Sequence, residues 1–361
     1  MKSKGFLRLI MGICLILALA LLPFMVAYAQ QKPTAVKYDV GGTNLAQGAY
    51  HITVAMCSIV NKYAPNITLT PKVTSSPTEN LRLINAGSIP LGYVSEMACY
   101  SAIRGFFPFK EKITPNLRML FCDQGFTYPI MASVGSGIKS IADLKGKKMV
   151  GWSVSSVYGK ANLLAALEVY GVAVGDVTIL EGKSTPECLR MLQEGIVDAT
   201  SFPMTPNSAG VVDLLANRPC VFVSIPREIN EKIVKIALEK YQTMLMPLTL
   251  PASTYEGQKK DLIYAGSPDG WAGTTDISDD TAYQIVKALF DNEDEFLAQQ
   301  PGKMGLKGVT RETAVDAMFA IPYYPGAVKY YKEKGWWTPE MERKQQHVLA
   351  EMVKLAEKYK K

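Results

Sequence analysis

Along residues 35–215, short β-branched runs alternate with longer stretches that place an apolar residue every three or four positions, the pattern of an α/β chain. Ala35 to Val40 predicts a strand and Gly41-Gly42-Thr43-Asn44 a tight loop. Gly48 to Tyr63 predicts a helix with an apolar face of Ile52, Ala55, Met56, Ile59, Val60 and Tyr63. Ile67 to Val73 follows as a strand, Thr74-Ser75-Ser76-Pro77 as a loop, and Thr78 to Ala86 as a helix that Gly87 ends; Leu91 to Val94 is another short strand. A second unit starts near Gly135. It reads as a capped turn over 137–148, a strand at Met149 to Trp152, a loop at Ser153 to Ser156, and a helix from Val157 to Tyr170. Val177 to Leu180 and Ile196 to Ser201 read as strands, Pro186 to Glu194 and Pro206 to Leu215 as helices. Farther on, a strand-like segment begins near Leu262. Helices are expected at Ser278 to Leu297, at Thr310 to Phe319 and from Pro339 onward, with Met246 to Tyr255 as a long surface connection. No repeat of fixed period shows in this pattern.

The first 29 residues break it. Lys2, Lys4 and Arg8 precede an almost unbroken apolar run from Leu9 to Val26, and Ala27-Tyr28-Ala29 has the small-x-small form that signal peptidase cuts. The expectation is a cleaved export signal, Gln30 as the first mature residue, and a protein in the periplasm. Loss of the three basic residues takes the net charge from +6 to +3. That weak balance, with no basic stripe among aromatics, argues against a nucleic-acid partner. What remains is long enough for roughly two lobes.

Five cysteines follow the leader: Cys57, Cys99, Cys122, Cys188 and Cys220. Their number is odd and no C-x-x-C pair occurs, so disulfides and buried thiols both stay open. His51 and His347 are the only histidines, and neither has a partner at ligand spacing, so neither a metal nor a cofactor is expected. The sequence has no G-x-S-x-G, H-E-x-x-H or P-loop. These observations point to a binding protein and not an enzyme. An enzyme on this scaffold would draw its general base from Glu96, Glu79 or His51.

One local plan recurs four times: strand, small polar loop, helix start. The loops are Gly41-Gly42-Thr43, Thr74-Ser75-Ser76, Ser153-Val154-Ser155-Ser156 and Ser201-Phe202-Pro203-Met204-Thr205. In an open α/β sheet such loops lie at the carboxyl edge, where ligands bind. Helix starts leave backbone N–H groups without partners, and Ser and Thr hydroxyls add donors, so several facing one cleft would hold an anion. The candidate ligand-binding residues are Gly42, Thr43, Tyr50, Ser75, Ser76, Arg82, Trp152, Ser153, Ser155, Ser156, Tyr158, Phe202 and Thr205. The aromatics among them would cover an apolar part of the ligand, and Arg82 would serve as counter-ion. Glu96 could receive a ligand ammonium group.

Five segments resemble the TAXI-type solute-binding proteins of TRAP transporters. They are Gly41-Gly42-Thr43 with Tyr50 and Asn61-Lys62; residues 74–87 ending in Leu91-Gly92-Tyr93-Val94; residues 135–146; Tyr255-Glu256-Gly257-Gln258; and residues 321–335. The resemblance implies a periplasmic-binding-protein (Venus-flytrap) fold of two α/β lobes joined by hinge strands. Lobe I would hold residues 30–133 with 260–361, and lobe II residues 134–259, the chain crossing near Ala132–Ser136 and near Asp261. It further implies a monomer that delivers a small organic anion to the membrane subunits of a TRAP permease. The chain departs from that family at Val154-Ser155-Ser156-Val157-Tyr158, at Phe202-Pro203-Met204-Thr205-Pro206, and at Tyr324, where histidine is common. The first two changes make the site bulkier and more aromatic, so an organic carboxylate with an apolar portion is expected in place of glutamate. The alternatives are a ligand-sensing module for a membrane signalling receptor and an exported enzyme.

Overall fold

A computed structural model describes residues 35–45, 48–109, 113, 116–153, 157–205, 208–300, 309–315 and 319–360. The expected export signal, Ser155, Ser156 and Pro206 lie outside them. No helix among the described residues is long and apolar enough to cross a membrane.

The first sheet is built from β1 (Val36–Gly41), β2 (Ile67–Lys72), β3 (Leu91–Ser95), β4 (Leu117–Cys122) and β13 (Asp269–Thr274), in the order β2-β1-β3-β13-β4. Strands β1, β2 and β3 are parallel, and β13 runs antiparallel between β3 and β4. Helix α1 (Gly48–Tyr63) follows β1 and buries Ile52, Ala55, Met56, Ile59 and Val60, which the 3.6-residue period puts on one face. Helix α2 (Pro77–Asn85) follows β2. Ser76 caps it by accepting the Glu79 N–H, Pro77 fills its first turn, and Gly87 leaves it at φ +70°. Helix α3 (Glu96–Arg104) follows β3.

The second sheet contains β6 (Ile130–Ser133), β7 (Lys148–Ser153), β8 (Thr178–Gly182), β9 (Ala199–Ser201) and β10 (Cys220–Phe222), ordered β10-β6-β9-β7-β8. Helix α4 (Val157–Val169) follows β7, α5 (Thr185–Gln193) follows β8, and α6 (Ala209–Asn217) and α7 (Arg227–Tyr241) complete this half. A third sheet, β11 (Met246–Leu250), β12 (Leu262–Ser267) and β5 (Phe126–Thr127), lies at the passage between the two larger sheets. Two apolar cores result. One is centred on Met56, Phe121, Trp271 and Tyr331, the other on Met149, Leu163, Cys188 and Tyr264.

Read from the other end, the strand order of the second sheet repeats that of the first: β2, β1, β3, β13 and β4 correspond to β8, β7, β9, β6 and β10. Gly41 pairs with Lys72 and Gly92 in one sheet, as Val150 pairs with Leu180 and Thr200 in the other. The expectation of no repeat is therefore corrected. The duplication survives in backbone topology and in a few residues, such as Ser76, Glu79, Leu81, Arg82 and Gly87 against Ser184, Glu187, Leu189, Arg190 and Gly195.

Three other expectations are corrected. Met246 to Leu250 is not a surface connection but strand β11, paired residue by residue with β12. The single helix expected over Ser278 to Leu297 is two, α8 (Asp279–Phe290) and α9 (Glu293–Gln299). They part because Asn292 turns its side-chain amide back to the Ala288 carbonyl, 2.8 Å away, and Asp291 is held by Lys287, Lys334 and Tyr330. Among the described residues between Thr310 and Phe319, Arg311–Ala314 (α10) is helical, and Phe319 sits at φ +59°, outside a helix. Helices α11 (Pro325–Glu333) and α12 (Pro339–Lys360) pack on the first half.

Candidate functional site between the two sheets

Helices α3 and α4 start at the carboxyl ends of β3 and β7 and bring those two edges face to face. Met97 on α3 belongs to the second core, among Tyr128, Trp152 and Tyr158. The nearest ionisable and hydroxyl neighbours of the Tyr158 phenol are Ser101, Cys99 and Arg82, all from the first half. Burial pushes that phenol up to about 12, Ser101 acting weakly the other way, and within strict hydrogen-bond geometry its oxygen is unpartnered. A neutral, buried hydroxyl with only the Ser101 hydroxyl beside it is what a ligand oxygen could engage.

The first-half loop is built tightly. Asn80, fully buried on α2, donates to the Gly42 carbonyl at 2.6 Å and to the Tyr93 carbonyl at 2.8 Å, which fastens the loop to β3. Thr74 also bonds the Gly42 carbonyl, at 2.9 Å. Gly42 is required by close approach, since a Cβ there would stand 2.9 Å from the half-buried ring of Tyr50. Thr43 is fully buried and its Oγ1 is without a partner. Ser201, ending β9, and Asn162, one turn along α4 from Tyr158, each carry a buried side-chain oxygen in the same condition. Sequence reasoning missed Asn80, Asn162 and Ser101. The signal for Asn162 is a polar residue on the apolar face of its helix.

The other predicted residues divide. Ser76 is spent as the α2 cap, and the exposed Ser75 gives its N–H to Glu79 at 2.5 Å; the Ser75 hydroxyl and, after it, this N–H draw that carboxyl down. Arg82 is exposed and lies over Phe109, 5.3 Å from the ring centre, with Nη2 3.4 Å from the Pro108 carbonyl. Trp152 is 8% exposed, donates Nε1 to Glu181 at 2.8 Å and carries Lys160 over its ring at 5.1 Å. Ser153 ends β7. Phe202 is fully buried in the second core, and the exposed Thr205 gives its carbonyl to Tyr255 at 3.3 Å. Between them, Met204 exchanges backbone bonds of 2.8 and 3.0 Å with Thr127, which ties this loop to the crossover.

The three candidate bases stand apart from this arrangement. His51 is exposed and reaches the Leu45 carbonyl at 3.0 Å, and Glu79 serves Ser75. Glu96 is fully buried against Cys122 Sγ and the Ala320 N–H, both at 3.5 Å. Tyr324 is buried too, its hydroxyl 2.5 Å from the Thr274 carbonyl inside the first core. The five cysteines are free thiols. Burial pushes Cys57 up to about 12 and Cys188 to about 11, far from reactivity.

Two α/β sheets of one strand order, joined by paired crossovers with their carboxyl edges opposed, define the two-lobe periplasmic-binding-protein fold. The NMT1-like family model matches residues 42–335, and the chain belongs to that family, a periplasmic-binding-protein type. Among solved structures, a TctC solute binding protein from Polaromonas, without ligand, is 11% identical. The match covers 75% of this chain and 88% of that one at a TM-score of 0.51. PhnD1 from Prochlorococcus marinus, in complex with methylphosphonate, is 9% identical over 83% and 98% of the two chains, TM-score 0.49. The periplasmic aliphatic sulphonate binding protein SsuA from Escherichia coli is 16% identical over 76% and 80%, TM-score 0.45. At such identities the likeness is one of fold. The family and these neighbours are binding proteins and not enzymes.

Proposed function

We propose that this protein is the extracytoplasmic solute receptor of a TRAP transporter of the TAXI type. It is exported with cleavage after Ala29 and works as a monomer. It binds an organic carboxylate with an apolar portion between a first lobe (30–133 with 260–361) and a second (134–259). The ligand-loaded, closed form docks on the membrane permease subunits, because ligand and docking favour the same hinge-closed state. The observation that carries this reading is the set of buried oxygens at the carboxyl edges of the two sheets: Thr43 Oγ1 and Ser201 Oγ, both without partners, and the Tyr158 hydroxyl, which has only Ser101 beside it. Each hydroxyl can donate to a carboxylate, and the loop glycines let backbone N–H groups join them. Trp152 and Tyr50 supply apolar cover. No buried arginine or lysine is needed, so binding at about −8 kcal/mol, or micromolar affinity, would depend little on salt.

The test is thermal unfolding of the mature chain against amino acids, mono- and dicarboxylates, aromatic acids, sulfonates and phosphonates. A ligand that binds only the folded state raises the melting temperature by mass action. A shift confined to one carboxylate class, reduced in Tyr158→Phe and Thr43→Val, supports the proposal. A shift with sulfonates or phosphonates alone overturns the carboxylate assignment, and unchanged binding in both variants overturns the site.

A further inference from the structure

The crossover between the lobes holds a buried acid pair that plays no part in the cleft. Asp123 follows β4 and Asp269 opens β13, and they are 7% and 5% exposed. Their backbones are already joined. The Asp123 N–H donates to the Asp269 carbonyl at 2.8 Å, and the Asp269 N–H reaches Asp123 Oδ1 at 3.3 Å. That same Oδ1 also accepts from Gly125 N–H at 2.8 Å. The phenol of Tyr93, on β3, lies between the two remaining oxygens, 2.7 Å from Asp269 Oδ2 and 3.2 Å from Asp123 Oδ2.

A phenol has one hydrogen to give. It can satisfy one carboxylate, so the second short contact is attractive only if a carboxyl group there is protonated and donates to the phenol oxygen. Two ionised carboxylates would set a bare Oδ2 against a lone pair, with both charges out of water. Asp269 is the poorer place for charge: its Oδ1 has no partner within strict hydrogen-bond geometry and only the Ser95 hydroxyl nearby to favour the ion, whereas Asp123 Oδ1 has two N–H donors. We propose that Asp123, Tyr93 and Asp269 hold one proton in common at neutral pH, resting on the Asp269 carboxyl, and that this proton pins the two crossover strands to each other.

The surroundings act in the same sense. Burial pushes Asp123 up to about 6, and burial with the Asp123 charge pushes Asp269 well up. Burial also raises Tyr93, so the phenol keeps its hydrogen. Glu96, from α3, adds negative charge toward Asp269. The thiols Cys99 and Cys122 stay neutral because burial raises both. Asp123 lines a cavity of about 310 Å³, which brings open space to the side of the ionised partner. The sign follows from linkage. The folded pair keeps a proton that an unfolded aspartate releases above its ordinary value of 3.8. Its stabilisation is full below that value and is lost as pH rises through about 6 and beyond.

Infrared spectroscopy of the full chain in neutral heavy water tests this. The expected result is a protonated-carboxyl carbonyl band that Asp269→Asn abolishes and Glu96→Gln leaves. The melting temperature of the parent falls as pH is raised, and Asp269→Asn flattens that slope, because the amide supplies a fixed donor to Tyr93. The proposal is overturned if the parent lacks the band, if the band survives Asp269→Asn, if Glu96→Gln removes it, or if Asp269→Asn keeps the parental slope. Should Asp269→Asn not fold, carbon-13 labelling of the aspartate carboxyls in the parent decides the matter. One aspartate in its neutral form at neutral pH is expected, and none overturns the proposal.

Discussion

Tyr158 is a side chain costly to fold, and the proposed site would put that cost to use. Its ring is buried, yet its hydroxyl has given up water with only the Ser101 hydroxyl beside it and no partner within strict hydrogen-bond geometry. Such a group costs free energy until something bonds it. Tyr158→Phe should therefore unfold in urea within about 1 kcal/mol of the parent, or later, while losing carboxylate-induced thermal stabilisation. A loss of several kcal/mol would mean the hydroxyl is bonded within the protein. The loop residues were legible to different degrees. The Ser76 cap could be read from Ser-x-x-Glu, because the contact is local. Phe202 could not be assigned, since an aromatic beside a loop packs inward or faces a cleft according to neighbours distant in sequence; here it lies in the second core. Asn80 went unnoticed because its partners, the Gly42 and Tyr93 carbonyls, come from two other elements.

At the level of elements, the two lobes carry the same short helix with the same start. Ser76 accepts from Glu79 N–H at 3.2 Å and Ser184 from Glu187 N–H at 3.4 Å, while each glutamate reaches back to a backbone N–H at 2.5 Å. Equivalent geometry predicts equivalent energy. Ser76→Ala and Ser184→Ala should each cost about 1 kcal/mol in chemical denaturation. A large inequality between them would show that one of the two serines does more than cap. The long helices with clean periodicity, such as α1 and α12, were readable from the pattern. Strands β11 and β13 were not, because a strand buried on both faces or bearing prolines lacks the alternation that marks it.

For the molecule as a whole, the joint between lobes and the charge network of the first lobe set the response to mutation and pH. Gly125 sits at φ +65°, and a Cβ there would fall 2.0 Å from the Ser267 carbonyl. Gly125→Ala forces the two crossover segments apart and should cost more than about 3 kcal/mol, read by thermal and urea unfolding. At the other end of the first lobe, partial burial raises Asp291, but hydrogen bonds from Lys287, Lys334 and Tyr330 outweigh it and bring the carboxyl down to about 2. A depressed carboxylate contributes stability above its unfolded value of 3.8 that is lost as pH falls toward about 2. Asp291→Asn should therefore lower stability at neutral pH and flatten the acid limb of the melting curve. An unchanged acid limb would assign that loss to other carboxylates.

The alternation of strands and helices, the glycines that end helices and the serine caps were all settled along the chain itself, because each depends on neighbours a few residues away. The duplication of strand order, the burial of Phe202 and Glu96, the facing of α3 against α4 and the acid pair shared by β4 and β13 were decided in three dimensions. Asp123 and Asp269 are 146 residues apart in the chain. Their shared proton arises only when the strands that carry them leave water together.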